Sequence, residues 1–278
     1  MKIRRVGIAS RLDQLEAMSI AERAANLLQD REVEVILERQ LAEKLEWAGK
    51  ASSLIDIDAD ALIIVGGDGT VLRTSRIISE NIPMLVVNAG TVGFLSEVNP
   101  NELESAIARL ASGNFQIEEC TRIKAQIDGI EVGDALNEVS IVTKTPVKVL
   151  NLTALKKGEV IFSGRMDGLI IATRTGSTAY ALSAGGPIID PELDAFVLVP
   201  LCPLKIYQKP IVLPSSPKLE VFIEENGSDA LVIADGQIHA EAPAGSRVTL
   251  EKSSKKSLFI RLGRSFYERL RERLVRDV

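Results

Sequence analysis

The sequence predicts an α/β protein with an N-terminal parallel-sheet domain and a C-terminal domain similar to a β-sandwich. Continuous apolar segments alternate with amphipathic segments up to residue 114, which is typical of parallel strands covered by helices on both faces. From residue 115 the pattern changes to short alternating strands with Gly and Asn turns. These patterns predict domains over residues 1–114 and 115–262, and a C-terminal helix over 263–278 that packs back on the first domain.

The N-terminal elements are predicted in chain order from their hydrophobic periodicity. Buried strands are predicted over residues 6–9, 33–37, 61–65 and 84–87. Helices are predicted over residues 12–30, 40–47, 71–79 and 100–112. This alternation of strands and helices is Rossmann-like.

The C-terminal elements are mostly strands, which are predicted over residues 123–127, 136–143, 149–155, 160–163, 169–173, 219–223, 230–234, 247–250 and 258–262. Asp128-Gly129 and Asn226-Gly227 are both typical of hairpin turns. A final helix is predicted over residues 265–276, with Phe266, Leu270 and Leu274 on one face and its charged side chains in solvent.

The charge balance excludes several classes of protein. The chain has 278 residues with 33 Lys+Arg against 38 Asp+Glu, and its net charge of −5 argues against a protein that grips nucleic acid. No apolar run approaches the ~20 residues that span a bilayer, so no membrane association is expected. Without a signal-peptide core after Met1, a cytoplasmic location is predicted.

Cysteine and histidine are too few for a disulfide framework or a metal centre rich in either residue. The cysteines are Cys120 and Cys202, and the single histidine is His239. Cys202 is interpreted as a small buried hydrophobe, and His239 as a surface residue. The chemistry is therefore expected from carboxylates, glycines, hydroxyls and a few cations.

The segment Gly66-Gly67-Asp68-Gly69-Thr70 lies between a predicted strand and a predicted helix. Glycines let a backbone approach a phosphate closely, and a helix start attracts an anion. Because a bare phosphate would repel Asp68, this carboxylate is expected to hold a metal ion or to face a hydroxyl that loses its proton. The alternative is a tight turn in which Asp68 caps the helix. Neither the Walker A spacing nor the dinucleotide fingerprint is present.

Other segments are rich in polar residues and glycine. They cover residues 88–95, the Asn137-Glu138 pair, Arg165 to Gly168, Thr175 to Pro187, and Asp235-Gly236-Gln237. Taken singly, each has a structural explanation as a turn, a helix cap, an edge strand or a surface ion pair.

Five motifs closely resemble the NAD kinase family in identity and order, from about residue 60 to residue 240. They are the glycine loop, Asn137-Glu138, the block from Asp167 to Tyr180, Ala184 to Pro187, and Asp235-Gly236-Gln237. The loop alone is less specific, because lipid kinases and phosphofructokinases are similar there. A lipid kinase would show a Gly-Thr-Gly-Asn-Asp-Phe-like segment downstream, where this chain has residues 88–95. One departure is Cys202-Pro203-Leu204-Lys205, where many family members have a Cys-Pro-His-Ser-like stretch.

The resemblance implies phosphoryl transfer to the 2′-hydroxyl of the adenosine ribose of NAD, giving NADP. It implies an active site between an α/β domain and a β-sandwich-like domain. Asp68 matches the residue usually assigned as proton acceptor, and the loop of Gly66, Gly67, Asp68, Gly69 and Thr70 would contact the phosphate donor. The expected NAD-binding residues are Asp68, Gly69, Arg73, Asn137, Glu138, Lys148, Arg165, Asp167, Thr178, Ala179, Tyr180, Ala181, Leu182, Ser183 and Gln237.

The resemblance also implies a divalent metal ion, by default Mg²⁺, with ATP or inorganic polyphosphate as donor, and a homodimer or homotetramer. No metal ligand is assigned from the sequence. Two alternatives stay open at this point: a lipid kinase that shares only the glycine loop, and a dinucleotide-binding sensor that has lost catalysis.

Overall fold

The computed structural model describes residues 3–90 and 93–275, without the side chain of Val275. Thr91 and Val92 of the predicted loop segment, and Arg276 of the predicted final helix, lie outside the described residues. The chain divides into two compact units. Unit 1 contains residues 1–119 and 257–278, and unit 2 contains residues 120–256.

The helices of the chain are α1 (Leu15–Gln29), α2 (Arg39–Lys44), α3 (Asp68–Ile77), α4 (Leu103–Ser112), α5 (Tyr180–Ser183) and α6 (Phe266–Val275). Short 3-10 helices cover Pro100–Glu102 and Gly176–Thr178. The strands are β1 (Arg5–Ser10), β2 (Glu34–Glu38), β3 (Lys50–Ser52), β4 (Ala61–Val65), β5 (Met84–Val87), β6 (Gln116–Ile127), β7 (Ile130–Ala135), β8 (Glu138–Thr143), β9 (Leu150–Lys156), β10 (Glu159–Met166), β11 (Gly168–Thr173), β12 (Ala195–Leu201), β13 (Ile211–Pro214), β14 (Leu219–Ile223), β15 (Ala230–Ala234), β16 (Ile238–Ala242) and β17 (Arg247–Arg261).

Unit 1 is built on a parallel sheet in the order β3-β2-β1-β4-β5. The C-terminal end of β17 extends this order, because Phe259 pairs in parallel with Met84. All five residues of β4 are buried, as expected for a central strand with helices on both faces. The apolar faces of α1 and α4 pack on this core through residues such as Ala21, Leu28 and Ile107. The predicted α/β class is confirmed.

Unit 2 contains two antiparallel sheets that share one core. One sheet includes β10-β9-β14-β17, and the other has the order β13-β12-β11-β8-β15-β16. Leu152 and Val221 of the first sheet belong to the same apolar cluster as Ile141 and Leu198 of the second. Side chains from two sheets that fill a common core define a sandwich, so the predicted β-sandwich-like domain is confirmed.

Several local predictions were wrong. Asn226-Gly227 does not form a hairpin: it follows β14, which pairs with β9 and β17, and precedes β15, which pairs with β8 and β16 in the other sheet. The turn therefore carries the chain from one sheet to the other. Strands β3, β7, β12, β13 and β16 lie outside the predicted strand ranges. Cys202 is exposed rather than buried, whereas His239 is exposed as expected.

The Asp128-Gly129 hairpin is confirmed, since Ile127 pairs with Ile130 across it. The two strands predicted over 247–250 and 258–262 form a single strand, β17. Among the described residues, no helix is both long and apolar enough to cross a membrane.

Candidate active site

In unit 1, the glycine loop follows the buried strand β4 and leads directly into α3. Gly67 occupies the cap position of this helix, and Asp68 is its first residue. The Asp68 carboxylate does not cap α3. It accepts hydrogen bonds from the backbone N–H groups of Phe94 at 3.0 Å and Leu95 at 3.2 Å. The capping interpretation is therefore wrong, and Asp68 is held by a segment 26 residues further along the chain.

Gly93 explains how this segment comes so close to the carboxylate. A Cβ atom at position 93 would lie 2.1 Å from Oδ1 of Asp68 and 2.7 Å from its Cγ. No side chain fits at that distance, so only glycine lets the Phe94 and Leu95 N–H groups reach both carboxylate oxygens. Gly66 serves a similar purpose in the loop itself, since a Cβ there would lie 2.7 Å from the Thr70 hydroxyl.

The loop borders an open cavity of about 530 Å³. Gly67, Gly69, Thr70 and Arg73 line one side of it, and the cavity is also lined by Arg11, Leu12, Asp13 and Gln40. Loop backbone, a helix start and the Arg73 guanidinium suit an anionic group such as a phosphate. Arg11 in the same cavity is already paired with Asp13, at 2.7 Å. The structure thus brings Gly67, Gly69, Thr70 and Arg73 to one cavity.

Asn88, just beyond β5, is a second polar group at the same sheet end. It is 5% exposed, and its Nδ2 donates to the Gly90 carbonyl at 3.1 Å. Within the described part of the chain, its buried Oδ1 has no hydrogen-bond partner. An unpaired buried amide oxygen carries a free-energy cost, which a ligand donor would remove.

In unit 2, the Asn137-Glu138 pair stands at the start of β8 and is buried. The carboxylate of Asp235 accepts the backbone N–H groups of Leu136 and Asn137, each at 2.7 Å, and of Glu138 at 3.2 Å. Asp235 stands in a left-handed conformation, with φ of 51°. Its short side chain turns back onto the backbone of Leu136, Asn137 and Glu138 and holds that backbone in place.

The Thr175 to Ser183 segment packs directly on this pair. A Cβ at Gly176 would lie 2.0 Å from the Asn137 carbonyl oxygen, so the two backbones touch. The Thr173 hydroxyl donates to the Leu136 carbonyl at 2.7 Å and accepts from the Gly176 N–H at 3.0 Å. The structure therefore brings Asn137, Glu138 and the segment of Thr178, Ala179, Tyr180, Ala181, Leu182 and Ser183 into one region.

The Ser177 and Thr178 hydroxyls are used locally, because they donate to the carbonyls of Arg174 and Thr175. Ala181 is buried, whereas Tyr180 is 48% exposed. This half-exposed ring is the flat surface that the segment offers to a ligand.

Glu138 has an unusual electrostatic environment. Burial and the nearby Asp235 carboxylate raise the pKa of Glu138 to about 7, and a backbone hydrogen bond with Tyr180 lowers it only partly. Among the described residues, its buried Oε2 has no hydrogen-bond partner. Burial also raises the pKa of Asp235, although its backbone hydrogen bonds and Arg122 lower it. The buried Glu138 carboxyl, beside the partly buried Asp235, favours a bound ligand that donates hydrogen bonds, such as a sugar hydroxyl.

The raised pKa of Glu138 makes the stability of the protein depend on pH. Below pH 4.5 the Glu138 carboxyl is protonated in both the folded and the unfolded state, and its ionisation costs no stability. As the pH rises from 4.5 through about 7, the unfolded state loses this proton more readily than the folded state, so the free energy of unfolding falls. At about 1.4 kcal/mol for each pH unit, the rise from 4.5 to about 7 corresponds to on the order of 3 kcal/mol. Glu138→Gln should therefore raise the melting temperature relative to wild type at pH 8 more than at pH 5.

Thermal unfolding of both proteins in matched buffers measures this difference. The control is Glu159→Gln, which changes an exposed carboxylate on β10. If the difference in melting temperature between Glu138→Gln and wild type is the same at pH 5 and pH 8, ionisation of Glu138 does not destabilise the folded protein, and the prediction is wrong.

The predicted cations and the remaining polar residues lie at several places. Lys148 and Arg165 line one open cavity of about 560 Å³ together with Asn151 and Asn226. Both cations and Asp167 are exposed. Gln237 follows Asp235 in the turn before β16, and its N–H donates to the Ala234 carbonyl. Lys148 and Arg165 thus share a cavity that Asp167 and Gln237 do not line.

Sequence reasoning missed two residues that shape the site. Gly93 was noted only within the loop segment 88–95, and Asp235 only within the Asp235-Gly236-Gln237 motif, and neither was given a role. In the structure, Gly93 lies against the Asp68 carboxylate, and Asp235 accepts the backbone N–H of Asn137. The glycine at position 93 and the Asp235-Gly236 dipeptide were the only local signs of these contacts. They do not reveal the contact partners, Asp68 and Asn137, because those partners are distant in sequence.

Within residues 3–90 and 93–275, no three His, Cys, Asp or Glu side chains come together in a way that could hold a metal ion. In the glycine loop, Asp68 supplies the carboxylate that could contact a metal ion. Each of its oxygens already accepts a hydrogen bond from a backbone N–H. These residues fit a metal ion only if the ion arrives with other oxygen ligands, such as those of a polyphosphate chain.

Comparison with known proteins gives matches over most of the chain. Residues 6–115 match the family described as ATP-NAD kinase N-terminal domain, and residues 136–262 match the ATP-NAD kinase C-terminal domain. A protein named NAD kinase from Methanothermobacter thermautotrophicus is 40% identical, over 98% of this chain and 96% of its own length. A protein of the same name from Thermococcus sibiricus is also 40% identical, over 94% and 95%.

Two solved structures are similar over nearly the whole chain. An NAD kinase from Archaeoglobus fulgidus in complex with ATP has a TM-score of 0.79 and 30% identity, and covers 99% of both chains. Yeast NADH kinase complexed with NADH has a TM-score of 0.90 at 22% identity, and covers 99% of this chain and 88% of its own. At that identity, the yeast structure supports the fold alone.

Proposed function

The chain belongs to the NAD kinase family and phosphorylates NAD to NADP with ATP as donor, and from this premise we propose which of its residues carry the reaction. The observation that supports the proposal most strongly is the Asp68 carboxylate, which two backbone N–H groups hold in the glycine loop whose residues Gly67, Gly69 and Thr70 line a cavity. This arrangement combines a proton acceptor with a place for phosphate groups.

Asp68 is proposed to accept the proton of the 2′-hydroxyl of the adenosine ribose. The 2′-oxygen forms a bond to the terminal phosphorus of ATP, the bond between that phosphorus and the bridging oxygen breaks, and ADP leaves. A carboxylate offers about four lone-pair directions, of which the Phe94 and Leu95 N–H groups occupy two, so Asp68 can still receive a hydroxyl proton. Gly66, Gly67, Gly69 and Thr70 are proposed to hold the donor phosphates with their backbone, and Arg73 with its guanidinium.

A divalent ion, by default Mg²⁺, is proposed to accompany ATP. When bound, it neutralises negative charge that develops on the phosphate oxygens. Since no ligand cluster lies among the described residues, phosphate oxygens and water would supply most of its ligands, and Asp68 is the side chain that would approach it.

The proposed NAD site in unit 2 is centred on Asn137 and Glu138. The Asn137 amide can donate and accept, and the buried Oε2 of Glu138 has no hydrogen-bond partner among the described residues, so the pair suits the vicinal hydroxyls of a ribose. Residues Thr178 to Ser183, Asp167 and Gln237 are proposed to line the site, with the half-exposed Tyr180 ring against a base. Lys148 and Arg165, in their shared cavity, are proposed to contact the diphosphate.

Asn137→Ala is expected to raise the Michaelis constant for NAD by about 10-fold or more, because the truncated side chain leaves ribose hydroxyls unpaired in the complex. The effect on turnover should be smaller than the effect on NAD affinity. Calorimetric NAD titration and steady-state kinetics of both proteins measure the two quantities. Asn26→Ala, on helix α1, is the matched control. An unchanged Michaelis constant would remove Asn137 from the proposed NAD site.

The donor is tested by supplying NAD and Mg²⁺ with either ATP or polyphosphate and measuring NADP formation. NADP from ATP is expected, and NADP from polyphosphate would extend the donor range. NAD binding without NADP from either donor would instead favour the sensor function, in which the pocket persists without catalysis.

Location and assembly are also proposed from the family resemblance. A cytoplasmic homodimer or homotetramer is expected, without nucleic-acid or membrane partners. Light scattering of the purified chain measures the oligomeric state, and a monomer at working concentrations would contradict this part of the proposal.

A further inference from the structure

Unit 1 contains an ion cluster whose central carboxylate is fully buried. The Glu97 side chain has no exposed surface, and it contacts the guanidinium groups of Arg261 at 3.4 Å and Arg269 at 3.3 Å. Its second oxygen accepts the Leu262 N–H at 2.6 Å. Arg261 also pairs with Glu118, whose side chain is 25% exposed.

This cluster is joined to the Asp68 carboxylate through one residue. Arg261 donates from Nη1 to the Leu95 carbonyl at 3.3 Å, and the N–H of the same Leu95 donates to Asp68 at 3.2 Å. Arg261, at the end of β17, therefore contacts the opposite side of the residue that holds Asp68. The sequence separation of 166 residues shows that the link depends on the tertiary fold.

The segment between these contacts has little freedom. The Ser96 hydroxyl donates to the Gly93 carbonyl at 2.8 Å. The Glu97 and Val98 N–H groups both donate to the Val86 carbonyl of β5, at 3.0 Å and 3.1 Å. Glu97 is thus fixed at its backbone by the sheet and at its side chain by the C-terminal segment. Any shift of Arg261 would be transmitted to the Leu95 carbonyl two residues before Glu97.

We propose that Arg261 and Glu97 are positioning residues that hold the Gly93–Leu95 backbone, and through it the Asp68 carboxylate, in the geometry for proton acceptance. This inference rests on the proposed role of Asp68. It gives a part in catalysis to Arg261, which lies in the segment that the sequence predicts only as a strand over 258–262.

The chemistry of the cluster favours positioning over simple stabilisation. Buried ion pairs contribute little net stability, since desolvation offsets their attraction, and apolar packing would serve as well or better. The planar guanidinium of Arg261 instead reaches three different acceptors, which are the Leu95 carbonyl, Glu97 and Glu118. Because the donors of a guanidinium have fixed relative positions, Arg261 can hold a backbone segment in one orientation. The single ammonium group of lysine cannot reproduce this arrangement.

The test compares Arg261→Gln and Arg261→Lys with wild type. Arg261→Gln should lower turnover by about 10- to 100-fold, the range seen when a group that orients a functional residue is removed. The affinity for NAD should change less than about 2-fold, because the proposed NAD residues lie in other segments. Arg261→Lys, which keeps the charge but loses this arrangement of donors, should recover only part of the turnover.

The matched control is Arg264→Gln. Arg264 precedes α6 and pairs with Glu272, and among the described residues its side chain makes no hydrogen bond or ion pair with residues 93–97. Its substitution removes an arginine–glutamate pair from the same C-terminal segment. Wild-type turnover in this variant is expected, and an equal loss in both variants would indicate general destabilisation and overturn the positioning role.

A double-mutant cycle with Asp68→Asn separates the inference from the proposed function. If Arg261 acts through Asp68, the Arg261→Gln substitution should cause little further loss of turnover in the Asp68→Asn background. Full additivity would overturn the inference and leave the role of Asp68 intact. Wild-type turnover of the single Asp68→Asn variant would instead refute the proposed role of Asp68 itself.

The inference remains testable if Arg261→Gln does not fold. Glu97→Gln keeps the size of the side chain and an acceptor for Leu262, and should lower turnover without changing NAD affinity. Circular dichroism and thermal unfolding confirm that each variant is folded before its kinetics are measured. A folded Glu97→Gln variant with wild-type turnover would contradict the inference.

Discussion

Asp68→Asn is expected to lower the turnover of NADP formation by about 10²- to 10⁴-fold, the loss typical of a missing general base, while NAD still binds. The amide keeps the size of the carboxylate and one oxygen that can accept from Phe94 or Leu95. It removes the negative oxygen that would receive the hydroxyl proton. The expected effect is therefore on turnover rather than on NAD affinity.

Steady-state kinetics and calorimetric NAD titration on the same preparations measure this separation. Asp30→Asn is the matched control, because Asp30 is an exposed aspartate at the C-terminal end of α1, away from the glycine loop in sequence. Wild-type turnover in Asp68→Asn would refute the proposed base. A loss of NAD binding with unchanged turnover at saturation would make Asp68 a binding residue instead.

Gly93→Ala is expected to lower turnover by about 10²-fold, because a misplacement of about 1 Å in a reacting group can have that effect. The added Cβ would lie 2.1 Å from the Asp68 Oδ1 atom, so the carboxylate must move away from it. The backbone at position 93 does not require glycine for its torsion angles, so the steric conflict with Asp68 is the direct consequence of the substitution.

The effect of Gly93→Ala on stability is expected to be smaller than its effect on turnover, since the atom in the way is the end of a side chain that can rotate. Gly69→Ala is the stability control, as nothing lies within 4 Å of the added Cβ there. A crystal structure or kinetics of Gly93→Ala combined with Asp68→Asn gives the sharper check. In the Asp68→Asn background, Gly93→Ala should lower turnover little further. A further loss as large as in the single Gly93→Ala variant would mean that the substitution does not act through Asp68.

The fold class could be predicted from the sequence because strand burial leaves a clear periodic signal. The segment Ala61–Val65 is apolar throughout, and it forms the fully buried strand β4. Predictions of individual turns failed where the pairing of distant strands determines the structure. Asn226-Gly227 has the composition of a hairpin turn, but the flanking strands pair with β9 and β8 in different sheets. No local pattern encodes that choice.

The motifs could be predicted for a related reason, since they are local in sequence. The glycine loop and the Asn137-Glu138 pair were identified from a few consecutive residues. The groups that orient them could not be, because Asp68 meets Phe94 and Asp235 meets Asn137 only after the chain has folded. Arg269 shows the same limit: its charge predicted a solvated position, but pairing with Glu97 allows it to be 8% exposed.

The central claim is that the 2′-hydroxyl of the adenosine ribose is the acceptor of the phosphoryl group. The most direct measurement is ³¹P NMR of reactions that contain ATP, Mg²⁺ and either NAD or its analogue without that hydroxyl. NAD should give ADP and one phosphorylated dinucleotide with its new phosphate at the 2′-position, and the analogue should give none. A phosphorylated analogue, or a new phosphate at any other hydroxyl of NAD, would contradict the claim.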